Sequence, residues 1–495
     1  MRKKTNLKYF FLSVISGILL ALSFQKFNAF FLAWIGFVPL FFCCNKENTT
    51  VKSFFYGLLS GFVCYSVSLF WLYPFLYYNL GSHIQAVIVA SLLWIYLGLY
   101  FAVWSGFINL VQKKFVSCVI ILFAPFLWML LEYVRTYLLT GFGWNLIGYS
   151  QTPFLYFIQI ADIFSVYGVS FVVVLINTLI FCCIKEKKVL PLIVAIIVFL
   201  SVISYGFIRI KYLNVNTDDE IVIGVIQPNV DQYKKWSLKH KESIIEEIKS
   251  SAKTFEDKNV DIMVYPETVM PGFFGEADIE TLIKDVSSFA KINLIGIPCD
   301  EGENSYNSIF AFDSKANVID KHYKTHLVIF GEFIPFRKLL AKFFSIFNSL
   351  GDFSKGEKMN VFNYGNICIG SSICSENFFP GLSKQLVNNG AKILTNHTND
   401  AWFLDSAAPY QHFSMDIFRS IENRKYMIVC ANTGISAVID LTGRVIQKTQ
   451  LNENVNFSCS VCQNSYQTVY DKFGNVLFYI GLVVVILIFF MLFMI

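Results

Sequence analysis

Eight apolar stretches, each close to the length of a bilayer crossing, limit what this chain can fold into. They run Tyr9 to Phe24, Ala29 to Cys44, Phe54 to Tyr78, Ile84 to Val111, Val116 to Val134, Ala161 to Ile184, Leu190 to Ile208 and Val476 to Ile495. A spanning helix needs about 20 predominantly apolar residues, with about 17 as the lower bound, and the shortest stretches sit near that bound. The chain is 55% hydrophobic, 17% aromatic and 15% charged, with a mean hydropathy of +0.53, too apolar for an ordinary soluble protein. The spacing predicts an N-terminal transmembrane domain of seven helices over 1–210, a polar domain over 215–470, and a C-terminal transmembrane helix over 474–495.

The charges flanking these stretches orient them. With the N-terminus inside, the inner segments carry Arg2, Lys3, Lys4, Lys8, Lys46, Lys52, Lys113, Lys114, Lys185, Lys187 and Lys188, and the outer loops carry Lys26 and Arg135. Eleven cations against two is the bias that places the polar domain outside the cytoplasm and both termini inside. These lysines also account for the net charge of +5, which therefore does not point to nucleic acid. Glu132, Arg135 and Asp162 lie toward the outer ends of their spans, not at mid-depth where a transporter or proton pump would place several such groups. They fit a helix-end ion pair or a role in substrate entry.

From Val215 to Tyr470 the apolar runs shorten and alternate. Strands are expected at Glu220 to Ile226, Asp261 to Val264, Ile292 to Ile297, Ser308 to Phe312, Asn366 to Ile369, Lys392 to Leu394, Tyr426 to Cys430, Ser436 to Ile439 and Arg444 to Ile446. Helical spacing appears at Lys239 to Phe255, Ile279 to Lys291 and His412 to Asn423, so the domain reads as layered α/β. Of twelve cysteines, six fall in or beside the spans, where they act as small apolar residues. Cys368 and Cys430 read as core. Cys459 and Cys462 form a lone Cys-x-x-Cys in a strand, where alternation sends them to opposite faces, and no second pair or His cluster makes it a zinc site.

One cysteine stands apart. The stretch Gly370-Ser-Ser-Ile-Cys374-Ser-Glu-Asn-Phe-Phe-Pro380 follows an apolar alternating run and breaks into turn residues, which would project the Cys374 thiol into a cleft. Such a thiol acts as a nucleophile when a base takes its proton and a cation or amide stabilises the oxyanion formed on attack. Tyr265-Pro266-Glu267-Thr268 ends one strand with a carboxylate, and Tyr323-Lys324-Thr325-His326-Leu327 sets a lysine before Phe330-Gly331-Glu332-Phe333. Taken singly, Cys374 fits a core position and Glu267 and Lys324 fit solvated surface charges. The recurrence of three strand-then-turn contexts in one domain raises the catalytic reading beside these without excluding them.

Pro266-Glu267, Tyr323-x-Lys324-x-x-Leu327-Val328-x-Phe330-Gly331-Glu332 and Ile373-Cys374-x-Glu376 resemble the Glu-Lys-Cys signature of the nitrilase superfamily. Together with Asn399-Asp400-Ala401-Trp402-Phe403, Gln411-His412, Gly141-Phe142-Gly143-Trp144 and Gly148-Tyr149-Ser150-Gln151, they are similar to its membrane branch, the bacterial apolipoprotein N-acyltransferases. The resemblance implies a four-layer α-β-β-α sandwich joined to about eight membrane helices in the bacterial inner membrane, with the sandwich on the periplasmic side. It implies that Cys374 takes an acyl chain from a membrane phospholipid as a thioester and passes it to the α-amino group of a diacylglyceryl-modified apolipoprotein, without a cofactor or metal. Glu267 is then the base and Lys324 the oxyanion holder, with Glu332 and Glu376 as supporting carboxylates, and Trp236, Trp402, Phe403 and Trp144 near substrate. The resemblance also favours an uncleaved first helix, although Ala21-Leu22-Ser23 resembles a cleavage site, and a monomer is expected. The alternative is a membrane-tethered amidase or nitrilase with water as acceptor. Two residues depart from the pattern: Ile329 stands where the family commonly has Pro, and Ser375 where it has Tyr. The run Phe333 to Phe353, with Arg337, Lys338 and Lys342, fits either an interfacial segment or an amphipathic helix over the sheet.

Overall fold

The computed structural model describes residues 2–213, 220–232, 234–334, 337 and 352–494, so most of the Phe333 to Phe353 run lies outside the described residues. Two compact units divide the chain. One gathers Met1–Leu213, Ser406–Ser414 and Lys472–Ile495, and the other gathers Asn214–Asp405 and Met415–Asp471.

The first unit is helical: α1 (Arg2–Leu22), α2 (Thr50–Ser68), α3 (Leu72–Leu80), α4 (His83–Lys114), α5 (Ser117–Tyr137), α6 (Ala161–Glu186) and α7 (Leu190–Tyr212), with a last helix at Val476–Met494. Among the described residues, α4, α5, α6 and α7 are each long and apolar enough to cross a membrane. The third apolar stretch is not one rod, because α2 and α3 meet at 70°. Pro74 favours the break: it has no N–H to donate to the carbonyl four residues back, at Phe70, and its ring crowds that carbonyl, so the helix is weakened there. The remaining three stretches form shorter apolar helices, and Phe30–Cys43 is further divided into single turns. Helices α2 and α4 approach so closely that a Cβ at Gly61 would lie 2.7 Å from Gly98 Cα, the small-residue contact that lets membrane helices touch without a hydrophobic drive.

Two polar clusters join these helices. At one end, Asn109 donates to the carbonyls of Cys44, Asn45 and Asn48, and Lys185 donates to Gln112, so the lysine-bearing helix ends are bound together. Elsewhere Arg135 donates to the carbonyls of Trp144 and Asn145, both at 3.1 Å, while Glu132 accepts from Ile147 N at 2.7 Å. Instead of pairing with each other, Glu132 and Arg135 hold the backbone that follows α5. Asp162 does make an ion pair, 2.9 Å from Arg209.

The second unit contains β1 (Glu220–Gln227), β2 (Val260–Val264), β3 (Ala290–Gly296), β4 (Cys299–Glu301), β5 (Asn304–Tyr306), β6 (Ser308–Asp313), β7 (Val318–Tyr323), β8 (Val361–Tyr364), β9 (Ile367–Ile373), β10 (Ile393–Thr398), β11 (Met427–Ala431), β12 (Ala437–Ile439), β13 (Val445–Lys448) and β14 (Val455–Cys462). Two six-stranded sheets form, in the orders β14-β1-β2-β3-β6-β7 and β13-β12-β11-β10-β9-β8. Alternation along each strand decides the layers. Ile221, Ile223 and Val225 of β1 join Ile262 and Val264, and these meet Ile369, Ile373, Ile393 and Ile428 of the other sheet in one buried cluster. The opposite face of the first sheet, with Met263 and Phe310, is covered by α8 (Leu238–Lys253) and α9 (Ala277–Ser287) through Ile244, Ile248, Ile279 and Leu282. On the second sheet, Gly370 of β9 lies against Leu386 of α10 (Pro380–Asn388). A further helix, α11 (Ala408–Asn423), precedes β11.

The cysteines follow the layers. Cys430 is buried between the sheets, 3.2 Å from the carbonyls of Ile226 and Val264, whereas Cys368 is half-buried and not the core residue its run suggests. Ile428 is fully buried at the centre of the inter-sheet layer. Ile428→Ala is expected to cost about 2–5 kcal/mol, read as a clear fall in the thermal midpoint of the purified protein.

Candidate active site

The three strand-then-turn segments meet at the carboxyl ends of their strands. β2 runs parallel to β1 and β3, and β9 parallel to β10, so the turns after β2 and β9 leave the sheets at such ends, where open α/β sheets present reactive groups. Glu267 lies in the turn after β2, whose next residue, Thr268, has φ +43°. The turn lies flush on the end of β3, where Val269 N donates to Gly296 O at 2.8 Å. Glycine is required there: a Cβ at Gly296 would stand 2.2 Å from Pro266 O and 2.8 Å from Glu267 Cα.

Lys324 follows β7, and its backbone is fixed on both sides, by Lys324 N donating to Asn307 O and by Gly356 N donating to Lys324 O. Its buried ammonium donates to Glu332 Oε1 at 2.9 Å and, more loosely, to Glu267 Oε1 at 3.4 Å. The Asn307 side-chain amide bridges the same two oxygens, at 2.7 Å to Glu267 and 2.8 Å to Glu332. Glu332 reaches the cluster because a turn at Phe330, φ +63°, brings Glu332 N onto Val328 O, and Val328 N donates back to Glu332 Oε2. Burial alone would lower the affinity of Lys324 for its proton, but the charges of Glu332, Glu267 and Cys374 outweigh it and raise the pKa, so the lysine stays a cation. Glu267 Oε2 makes no hydrogen bond among the described residues, and so remains open for a proton.

Cys374 follows the last residue of β9 with φ +50°, a left-handed conformation unusual for a residue with a side chain, and it opens a short 3-10 turn through Phe378. The residue as a whole is half-buried, but its thiol is turned inward and lies within electrostatic reach of Glu267, Lys324 and Asp400. Burial pushes the thiol well up; Glu267 and Asp400 add to this, and Lys324 and a hydrogen bond with Thr398 oppose it. The resting nucleophile is therefore the thiol, which needs a base to be activated. Glu376 ties this turn to the lysine turn: its carboxylate accepts from Ile373 N at 2.8 Å, from Thr325 N and Oγ1 at 2.7 Å each, and contacts His322 Nε2 at 3.1 Å. Burial works against its charge, but His322 and these donors hold its pKa down at about 2. Its contribution to stability is thus complete above the ordinary glutamate range and is lost only as pH falls through about 2.

The aromatic candidates are placed differently from one another. Trp236 is half exposed, its ring 6.1 Å from Phe273; Trp402 is exposed and Phe403 half-buried in a 3-10 turn after β10. Trp144 belongs to the helical unit, where its indole donates to Gln411 Oε1 at 2.7 Å, and Trp71 donates to the same oxygen at 3.1 Å. Gln411 returns its amide to the carbonyls of Gln25 and Ser68, both at 2.8 Å. Sequence reasoning missed Asn307, Thr325 and His322. Each lies in a strand or strand-end context with no local pattern of its own, and only the folded pairing shows what its polar atoms meet.

A multi-helix unit of membrane-spanning length, joined to a double-sheet domain with a Cys, a Lys and two carboxylates converging at its strand ends, defines a membrane-embedded protein of the carbon-nitrogen hydrolase class. The family model described as apolipoprotein N-acyltransferase N-terminal domain matches residues 16–179, and that described as carbon-nitrogen hydrolase matches residues 223–458. An apolipoprotein N-acyltransferase of Geobacter metallireducens is 34% identical over 488 residues, covering 94% of this chain and 92% of its own. One from Rickettsia typhi is 28% identical over 513 residues, covering 99% and 98%. The chain belongs to the apolipoprotein N-acyltransferase family, an acyltransferase branch of that class.

The flush contact at Gly296 gives a direct test of how the Glu267 turn is held. Gly296→Ala must move that turn, and acyl transfer is expected to fall by at least about 100-fold, since misplacement by about 1 Å is enough for that. Circular dichroism of the same sample checks that the fold persists.

Proposed function

We propose that this protein transfers an acyl chain from a membrane phospholipid to the α-amino group of the N-terminal diacylglyceryl-cysteine of apolipoproteins, with Cys374, Glu267 and Lys324 as its catalytic residues. The observation that carries the reading is the shared buried cluster: a protonated thiol within electrostatic reach of a carboxylate that has one open oxygen and of an ammonium held charged by Glu332.

In the first half-reaction Glu267 Oε2 takes the thiol proton, sulfur bonds to the donor ester carbon, and the carbonyl electron pair moves to oxygen. Two of the Lys324 ammonium's N–H bonds are committed to Glu332 and Glu267, which leaves the third to meet that oxyanion. Collapse breaks the ester C–O bond, the proton on Glu267 passes to the departing lysophospholipid oxygen, and a thioester remains. In the second half-reaction the acceptor amine attacks the thioester, Glu267 takes its proton, and collapse of the second oxyanion expels the Cys374 sulfur, which recovers the proton from Glu267. Glu376 positions the nucleophile turn, Trp236, Trp402 and Phe403 serve substrate binding in the catalytic domain, and Trp144 serves it within the helical unit.

Residues 1–210 and 474–495 form the membrane domain of this enzyme and 215–470 its catalytic domain. The protein acts as a monomer in the inner membrane, with the catalytic domain periplasmic and both termini cytoplasmic. The orientation is supported by the eleven cations on the inner segments. The polar bonds that join Asn45, Asn48, Asn109, Gln112 and Lys185 at one end of the helices agree with it. Ile329 and Ser375 affect loop shape or donor preference: Ile329 lies in the turn that delivers Glu332, and Ser375 Oγ donates to His326 O at 3.4 Å.

Intact mass of the purified protein, incubated with a defined phospholipid and no acceptor, tests the reading. Wild type is expected to gain one acyl mass, labile to hydroxylamine. Cys374→Ala should gain none, and Glu267→Gln should acylate at least about 100-fold more slowly. A wild type that stays unmodified and leaves the phospholipid uncleaved would overturn it.

A further inference from the structure

The turn that carries Cys374 is held by a second element that takes no part in the cycle above. Asn377, the residue after Glu376, is completely buried, and α11 meets both of its polar groups. Its side-chain amide donates to Asp416 Oδ1 at 2.8 Å, and its carbonyl accepts from Arg419 Nη1 at 3.1 Å. Both partners are buried, lie in the same compact unit as the turn and, three residues apart, share one face of α11. Asp416 Oδ1 accepts a second amide, that of Asn396 in β10, at 3.1 Å, and the Asn396 oxygen accepts from Ser372 Oγ at 3.3 Å. Ser372 lies in β9, two residues before Cys374. The chain is therefore tied to one carboxylate oxygen on both sides of the thiol, directly after it and through Asn396 before it. Arg419 is fixed in turn by Glu422: Nη2 donates to Glu422 Oε1 at 3.1 Å, and Nε lies 2.9 Å from Oε2.

We propose that Asp416 and Arg419 are positioning residues for the nucleophile, acting through Asn377 to hold the Cys374 turn in register with Glu267 and Lys324. The proposal rests on the reading of Cys374 as the nucleophile. An apolar face on α11 would close the core over this turn as well. Burying a carboxylate, a guanidinium and two amides adds little stability over apolar packing of the same volume, and leaves each group costly if its partner is lost. What such a face adds is geometry, because hydrogen bonds specify distance and direction where the burial of apolar surface does not. The turn has need of it. Cys374 holds a left-handed backbone that persists only where its surroundings determine it. Glu376 binds the turn to the lysine segment and Asn377 binds it to α11, so two consecutive residues lock it to two separate elements. Without the Asp416 bond the Glu376 side alone remains, and the thiol loses its register while the sheets stand.

Two measurements on the full-length protein in detergent test this: hydrogen exchange of the peptide holding residues 374–378, and the rate of single-turnover acylation by a defined phospholipid. In Asp416→Ala and Asn377→Ala the turn is expected to exchange faster than in wild type while β1 and β11 keep their protection. Acylation at saturating phospholipid should be at least about 10-fold slower, with the half-saturating concentration unchanged. The double variant should be no slower than the slower single one, because both changes break the same bond. Asp416→Asn keeps an oxygen for both amides and is expected to restore the protection and most of the rate. If neither alanine variant folds, Asn377→Gln, which keeps the amide but displaces it by one methylene, takes their place with the same expected slowing. A turn that exchanges as in wild type, faster exchange spread over the whole domain, or single effects that multiply in the double variant would overturn the proposal. A wild type that takes no acyl mass counts against the proposed function instead, and the exchange comparison then decides this proposal by itself.

Discussion

The bond from the Lys324 ammonium to Glu332 is the interaction on which the rest of the candidate site depends. A buried ammonium without a carboxylate would give up its proton, and with its charge it would lose its hold on Glu267. Glu332 prevents this, and it is committed to the role by its own backbone, since Val328 N occupies its second oxygen. Asn307 then fixes the spacing of the two carboxylates by donating to both. Three chain segments distant in sequence are thereby registered to one another at distances that hydrogen bonds specify, not merely by packing.

The nucleophile is registered to this cluster by a second buried carboxylate. Glu376 belongs to the Cys374 turn and spends its acceptor capacity on Ile373, on Thr325 and on His322, the last two flanking Lys324 across Tyr323. The turn after β9 therefore cannot shift without breaking bonds to the lysine segment. This arrangement also supports the left-handed backbone at Cys374, a conformation that costs free energy and persists only where its surroundings determine it.

Much of this was legible in the sequence, and what was not has identifiable causes. Alternating runs gave β1, β2, β6 and β11 to within a residue or two, because each is buried on both faces or alternates cleanly between two cores. β7 escaped notice because Asp320, Lys321 and His322 break the apolar pattern of an edge strand, and β8 because only Phe362 of its four residues is buried. The apolar stretch Phe54 to Tyr78 read as one span because hydropathy does not register the backbone demand of Pro74. In the site, Glu267, Lys324, Glu332 and Cys374 carried local signatures, whereas Asn307 did not. An asparagine at the head of a strand looks like any other until the pairing of β3 with β6 sets it beside two carboxylates.

The charge inventory explains why such a site can work away from bulk water. At rest it holds two carboxylates, one ammonium and a neutral thiol. In the proposed cycle, proton transfer from Cys374 to Glu267 neutralises one carboxylate as it creates the thiolate, so the sum is unchanged. Attack then moves that same negative charge from sulfur to the carbonyl oxygen, still beside Lys324. Collapse moves it to the leaving oxygen, and the proton waiting on Glu267 removes it there while restoring the carboxylate. No step creates a net charge in a low-dielectric setting, where a new unpaired ion would cost several kcal/mol. Each step relocates one negative charge within reach of one fixed cation, and this requires that Lys324 never titrate, which the bond to Glu332 secures.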